Sequence, residues 1–477
     1  MHRHYFKTIL GTTTTLLAGS LGYFAKNSEH DNNNEENNSM RNMMNVNHSF
    51  MIQAEDVQEH YFPFRSESED LELIKVQIIN RHGARTPINS LPNYIDSTPW
   101  KCLPFESISG LDYGKFNTIF EKDGLDLLGN CMKGQLTEAG AIQMFKVGEH
   151  LREVYFKKLF AIDGDKVMDY KDIINSMYVR SSDIRSRRTE FSLMYLLQGF
   201  LGSNQAYYPT IHMYEEARET LYGHFKVCAK LGGIISQRIK KLNEDGEHDA
   251  GLQDIKARLL DLFYANEKNI VEEQPQSQPP HEKGLLESKQ IRQVRDFPQW
   301  ESLNNAFAGM LFHGHSLPKG ITEADYDYIN KRVGASGFVL FGGMDLLRMN
   351  NGMLVKELVD SMKKSIDTSK DLDRRRLEIY LGHDTTLIPL LVTLNLYDGV
   401  WPPFASTLVF ELYVNKLKRG QHFVKIVFND KIMHFDAKDS IIQDAKSGLV
   451  PFEEFERILK PYMVNYKEWK ELCKVNK

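Results

Sequence analysis

Three times along this chain a short β-branched run stops on a compact polar cluster, and no other feature restricts its fold as much. Leu73-Ile74-Lys75-Val76-Gln77-Ile78-Ile79 alternates apolar and polar residues at the period of a strand, then passes through Asn80 into Arg81-His82-Gly83-Ala84-Arg85-Thr86-Pro87. Gly83 permits a turn that other residues resist, and Pro87 ends regular pairing. Met177-Tyr178-Val179 leads in the same way into Arg180-Ser181-Ser182-Asp183, and a helical pattern follows through Met194 and Leu197. Leu377-Glu378-Ile379-Tyr380-Leu381 leads into Gly382-His383-Asp384, after which Thr385 or Thr386 can cap a helix carrying Leu387, Leu390 and Leu391, with Pro389 in its first turn. Open α/β sheets bind ligands at the carboxyl ends of their strands, so three such ends predict one site. The expected fold class is α/β, a mostly parallel sheet with helices on both faces plus a smaller, mainly α-helical cap lobe.

Residues 71–204 and 336–477 are read as that core, within which Met144, Val147, Leu151, Val154 and Tyr155 recur at helical spacing. Residues 205–335, more charged and helical, are read as the inserted cap, with an exposed loop at Gln274-Pro275-Gln276-Ser277-Gln278-Pro279-Pro280. Residues 29–70 form a polar, Asn-rich linker. Residues 1–28 hold Arg3, Lys7 and Lys26 but no acid, and Thr8–Ala25 is uncharged, so they are read as a targeting or anchor segment. That pattern fits a mitochondrial transit peptide, and it also fits a secretory signal or a signal anchor, which would give membrane association.

Composition removes several classes. A formal net charge of −5 over 477 residues gives no bias toward nucleic acid. Cys102, Cys131, Cys228 and Cys473 lie far apart, which excludes zinc-ribbon spacing and a dense disulfide framework but allows one or two bridges. His313 and His315 have no carboxylate or cysteine at ligand spacing and read as a loop pair. The chain carries no P-loop, G-x-S-x-G or H-E-x-x-H motif, so neither a metal nor a cofactor is expected.

The residue types at the three strand ends suit phosphoryl transfer. A phosphomonoester carries nearly two negative charges, and its transition state spreads charge over three equatorial oxygens. Arginine binds two such oxygens at once and never deprotonates, and Arg81, Arg85 and Arg180 supply three forks. A neutral imidazole can attack phosphorus and hold it as a phosphoramidate, the role expected of His82 as nucleophile. Asp384 is the expected proton donor to the leaving alkoxide, and His383 the expected hydrogen-bond donor to phosphate. A lone R-H-G or a lone His-Asp pair is more often structural; their combination in one chain is specific. Arg185, Arg187 and Arg188 crowd close behind Arg180, and a solvated basic turn is the alternative reading of that cluster.

Arg81-His82-Gly83-Ala84-Arg85-Thr86-Pro87 together with His383-Asp384 resembles the histidine acid phosphatase family, which includes acid phosphatases and phytases. The resemblance implies a phosphorylated His82, phosphate held by Arg81, Arg85, Arg180 and His383, and protonation by Asp384. It extends toward the lysophosphatidic acid phosphatase type 6 branch through Gly134-Gln135-Leu136-Thr137, Gln143-Met144-Phe145, Trp401-Pro402-Pro403-Phe404-Ala405 and Glu411-Leu412-Tyr413. It covers most of residues 71–200 and 335–475 and fades between about 205 and 335. That branch implies a mitochondrial location and a lysophospholipid substrate, lysophosphatidic acid, split into monoacylglycerol and phosphate. A phytase-like or broad-specificity acid phosphatase shares both motifs, whereas mutases of the phosphoglycerate type do not pair the second histidine with Asp. From another class, an inactive phospholipid-binding protein would not need the full catalytic set. The family places a further arginine soon after R-S-x-D; Arg185, Arg187 and Arg188 all offer it here.

Overall fold

The register of the central strands decides where the polar clusters meet. In the computed structural model, β1 (Leu71–Arg81), β2 (Met177–Ser181), β3 (Ile211–His212), β4 (Leu377–Gly382), β5 (Thr407–Asn415), β6 (His422–Phe428), β7 (Lys431–Met433) and β8 (Leu449–Pro451) share one sheet. Their order is β8-β6-β5-β1-β4-β2-β3, with β7 on β6. The half carrying the three motifs is parallel, β1 on β4, β4 on β2 and β2 on β3. The half from β5 outward is antiparallel. The structure describes residues 70–94, 96–102, 127–163, 166–182, 187–202, 208–223, 225, 227–272, 297–367, 375–418, 420–434 and 447–475, all within the unit Phe62–Lys477. The targeting segment, the linker up to residue 69, Asp183, Arg185 and the Gln274–Pro280 loop lie outside the described residues.

Helices cover both faces. On one, α1 (Glu138–Leu151) packs along α2 (Arg188–Leu201), and Met144, Val147, Leu193, Leu196 and Phe200 meet Val76, Ile78, Val179 and Ile379. Burying side chains of this size contributes about 1.5–3 kcal/mol each. Thr137 starts α1 by accepting the Gly140 N–H at 3.0 Å. The expected helix continues past α1 through a π-helical turn, Arg152–Phe156, which keeps Tyr155 and Phe156 buried.

On the opposite face lie α3 (Ala229–Gly246), α4 (Ala250–Glu272), α5 (Trp300–Phe312), α6 (Glu323–Phe341), α7 (Gly352–Ile366) and α8 (Asp384–Thr393). The polar positions in the alternation of β1 face the protein interior. Lys75 and Gln77 are fully buried beneath α7. Lys75 donates to Glu378 at 3.2 Å and to the Ser361 hydroxyl at 2.6 Å, while Gln77 donates to Glu378 at 2.7 Å. This face therefore holds a buried, paired polar layer.

Two boundaries can be set against the helices. The core–cap break at 335/336 falls inside the continuous helix α6, which ends against Gly342 and Gly343. The last helix of the site starts at Asp384 with His383 as its cap, because the His383 N–H donates to the Thr386 hydroxyl at 2.9 Å. Pro389 consequently sits beyond the first turn of α8. Two disulfides form, Cys102–Cys131 and Cys228–Cys473, the larger of the two numbers the spacing allowed.

Candidate active site

Arg81 is registered beside Gly382, so the ends of β1 and β4 place Arg81-His82 and His383-Asp384 side by side. The His82 backbone is held on both sides, its N–H donating to the Gly382 carbonyl at 3.1 Å and its carbonyl accepting the Ala405 N–H at 3.0 Å. The following turn lies against the start of α1. A Cβ on Gly83 would stand 2.5 Å from the Gly140 carbonyl, and one on Gly140 would stand 2.0 Å from that of Ala84, so only glycine fits at either position. The Gly83 N–H donates to Ser192 at 3.0 Å and the Ala84 N–H to Gln143 at 3.0 Å.

This support sets the chemistry of His82. Its Nδ1 is 2.8 Å from the Gly83 carbonyl, a partner that can only accept, so Nδ1 carries the proton and Nε2 keeps its lone pair. Burial first, and then the guanidiniums of Arg188, Arg81 and Arg85 and the ring of His383, push the imidazole pKa well below its ordinary value. His82 is therefore held in its neutral form, with Nε2 unprotonated.

Three guanidiniums surround it. Arg81 pairs with Asp384 at 2.8 Å, donates to the Pro402 carbonyl and to Asn305 Oδ1 at 3.2 Å, and lies 4.5 Å from the centre of the Phe404 ring. Arg85 donates to the Thr86 carbonyl at 2.9 Å and to Asn305 Oδ1 at 3.3 Å. The Nε–H groups of both are buried with no acceptor among the described residues, a donor set suited to an anion. Arg188, the first residue of α2, is the third, and burial together with the Arg81 charge draws its pKa down to about 10. Arg187 points elsewhere, pairing with Glu190 at the surface at 2.6 Å. Its backbone adopts a left-handed conformation, φ +50°, immediately before α2 begins.

Asp384 and His383 complete the cluster. Burial alone would raise the Asp384 carboxyl, but Arg81 and Arg85, with the Trp401 indole, hold it below the usual carboxylate range. The indole N–H donates to Asp384 at 3.1 Å. Burial and the neighbouring Arg188 likewise push the His383 imidazole down, so it too is neutral. Its Nε2 shares a 3.0 Å hydrogen bond with Ser182, and its ring centre lies 5.6 Å from that of His82.

Of the six residues singled out from the sequence, His82, Arg81, Arg85, His383 and Asp384 come together. Arg180 does not join them. It is registered beside Tyr380, two residues short of the level of Arg81, or about 7 Å down the strand. There it is fully buried and occupied: Nη1 pairs with Glu357 at 2.8 Å, and Nη2 with Glu219 at 3.1 Å and with Thr220. Two carboxylates already fill the fork expected to hold phosphate. Arg188 takes the third guanidinium position instead. Asn305 gives no motif signal at all, because it lies in the inserted segment where the resemblance fades. Trp401, Pro402 and Phe404 belong to a stretch read only as resemblance, and they form a wall of the site. The His313 ring bonds the Gly309 carbonyl and the Thr137 hydroxyl, and His315 pairs with Asp96. Among the described residues no group of three or more metal-ligating side chains converges.

Comparison with known proteins shows the family. Residues 72–278 and 347–429, more than half of the chain, match the histidine phosphatase superfamily (branch 2). The chain is 25% identical over 430 residues to lysophosphatidic acid phosphatase type 6 of Bos taurus, covering 84% of this chain and 86% of that protein. It is 24% identical over 374 residues to Bos taurus prostatic acid phosphatase, covering 76% and 78%. Its fold is similar to the apo phytase of Hafnia alvei, with a TM-score of 0.55 and 14% identity over 86% of this chain and all of that one. The strand-end histidine with its guanidiniums and the family match converge on one conclusion: this chain belongs to the histidine phosphatase superfamily (branch 2) and is a phosphoric monoester hydrolase.

Proposed function

We propose that the enzyme works through a phosphohistidine on His82 and that its preferred substrate is lysophosphatidic acid. The observation that carries the chemistry is the neutral, buried His82, whose free Nε2 lies within a ring of guanidiniums beside Asp384. Arg81, Arg85 and Arg188 hold the phosphate oxygens, and His383 adds a hydrogen bond. The Nε2 lone pair forms the N–P bond while the ester P–O bond breaks, and the leaving oxygen takes its proton from Asp384. Water then attacks phosphorus and gives a proton to the Asp384 carboxylate. The N–P bond breaks, its electrons return to Nε2, and phosphate departs. A bound phosphate offsets the guanidinium charge that depresses Asp384, so the substrate itself raises the carboxyl toward the protonated state the first step needs.

The lipid assignment is supported by the relatives named for that activity and by the chemistry around the charged cluster. Phe404 lies against Arg81 and His82, Phe312 against Phe404, and Tyr222 against His383, with Trp401 on Asp384. These aromatic neighbours suit a monoester with an apolar tail better than a polyanion such as phytate. The helices of the inserted segment act as the cap, and α5 reaches the arginines through Asn305. For location, the two disulfides favour an oxidising compartment, hence the secretory alternative over the mitochondrial one. The test is turnover of lysophosphatidic acid, phytate and an aryl phosphate by wild type and His82→Ala. Lysophosphatidic acid should have the highest kcat/KM, with no turnover by the variant. Phytate ranking first would overturn the lipid reading, and an active variant would overturn the mechanism.

A further inference from the structure

Asn305 is the one side chain of α5 that bonds both strand-end arginines. Its Oδ1 accepts from Arg81 Nη2 at 3.2 Å and from Arg85 Nη2 at 3.3 Å, and its Nδ2 donates to the Glu301 carbonyl at 2.8 Å. Two cationic donors on one side and a carbonyl on the other fix which amide atom faces which, with no freedom to flip. Arg81 has its remaining terminal nitrogen on the Pro402 carbonyl, and Arg85 has its own on the Thr86 carbonyl. Each terminal nitrogen is thus engaged, and the Nε–H of both side chains is buried with no acceptor among the described residues.

The nature of this tie matters as much as its position. Arg180, deeper in the same sheet, is clamped by Glu219 and Glu357, and their negative charge offsets its own. Asn305 clamps Arg81 and Arg85 with a neutral oxygen, fixing geometry without adding a negative charge to the one that Asp384 already sets on Arg81 at 2.8 Å. A carboxylate there would hold both guanidiniums more tightly yet compete with any phosphate for them.

We propose that Asn305 is a positioning residue of the cap, holding Arg81 and Arg85 in the geometry that receives the substrate phosphate without neutralising them. The inference rests on the reading of those two arginines as phosphate ligands. It links the inserted segment directly to affinity for the phosphate common to every substrate.

The experiment compares wild type, Asn305→Ala, Asn305→Asp and Arg85→Met. It measures kcat and KM on an aryl phosphate, the inhibition constant of inorganic phosphate, and Tm. Asn305→Ala should raise KM and the phosphate inhibition constant together by on the order of tenfold, the worth of one charge-assisted hydrogen bond, with a smaller change in kcat. Asn305→Asp should bind phosphate more weakly than Asn305→Ala while its Tm stays at or above that of wild type. A purely structural tie predicts the reverse order, since aspartate preserves both bonds. An Asn305→Ala enzyme with wild-type phosphate affinity, or an Asn305→Asp enzyme binding better than Asn305→Ala, overturns the proposal. Arg85→Met separates the two levels of the argument: if it too keeps full phosphate affinity, the arginine reading itself fails.

Discussion

Replacing Arg180 by methionine separates two roles that its sequence position confuses. Its guanidinium is fully buried between Glu219, fully buried as well, and Glu357, which is 25% exposed. Glu219 Oε1 also accepts the backbone N–H groups of Thr220 at 2.7 Å and Leu221 at 2.8 Å. Removing the cation leaves Glu219 as an uncompensated buried charge, which costs about 3–5 kcal/mol. At roughly 2–4 °C per kcal/mol for a domain of a few hundred residues, Tm should fall by on the order of 10 °C. The folded fraction should nevertheless bind inorganic phosphate nearly as wild type does. Arg188→Met should behave in the opposite sense. It removes one of three mutually repelling guanidiniums, so Tm should change less, while phosphate affinity falls about 10–100-fold for the loss of charge-assisted bonds. Differential scanning calorimetry and product inhibition by phosphate read the two quantities independently. An Arg180→Met protein with unchanged Tm and lost phosphate affinity would refute the placement of Arg180 as a structural cation.

Other consequences can be checked directly. Asp384→Asn should lose most of kcat on alkyl phosphates and far less on an aryl phosphate whose leaving group needs no proton; equal losses on both would assign the acid elsewhere. Because guanidiniums hold Asp384 below the usual carboxylate range in the free enzyme, its acid form becomes scarce as pH rises. The kcat/KM profile should therefore decline toward alkaline pH, and a profile rising through neutrality would contradict that assignment. Dialysis against EDTA should leave turnover intact, since the proposed chemistry uses only side chains; loss restored by a divalent cation would count against it. Reduction should lower Tm, because Cys228–Cys473 closes a loop of 245 residues and such crosslinks contribute about 2–5 kcal/mol. Identical thermograms with and without dithiothreitol would show that the bridges add nothing.

The parts of the site legible in the sequence are those where several functional groups share one short stretch. Arg81, His82 and Arg85 lie within five residues, and a strand end fixes their direction, so composition and spacing suffice. Arg180 misled because a strand's end can be guessed from sequence but its register cannot. Its side chain lies level with Tyr380, in the body of the sheet, and points at α7. Arg188 was one of three equivalent candidates until the left-handed turn at Arg187 set where α2 begins and which guanidinium faces inward. Asn305 was invisible for a different reason: nothing local marks an asparagine that acts across 220 and 224 residues of chain. The buried layer around Lys75, Gln77 and Glu378 mimics the alternation of an exposed strand, so periodicity alone could not reveal that this face is covered.

Rapid mixing of the enzyme with a ³²P-labelled phosphomonoester, quenched in base, tests the covalent step most directly. Wild type should retain radiolabel as a phosphoramidate on Nε2 of His82, stable in base and lost in acid, and His82→Ala should retain none and turn nothing over. Label on another residue, or full turnover with no label trapped at any time point, would contradict the mechanism.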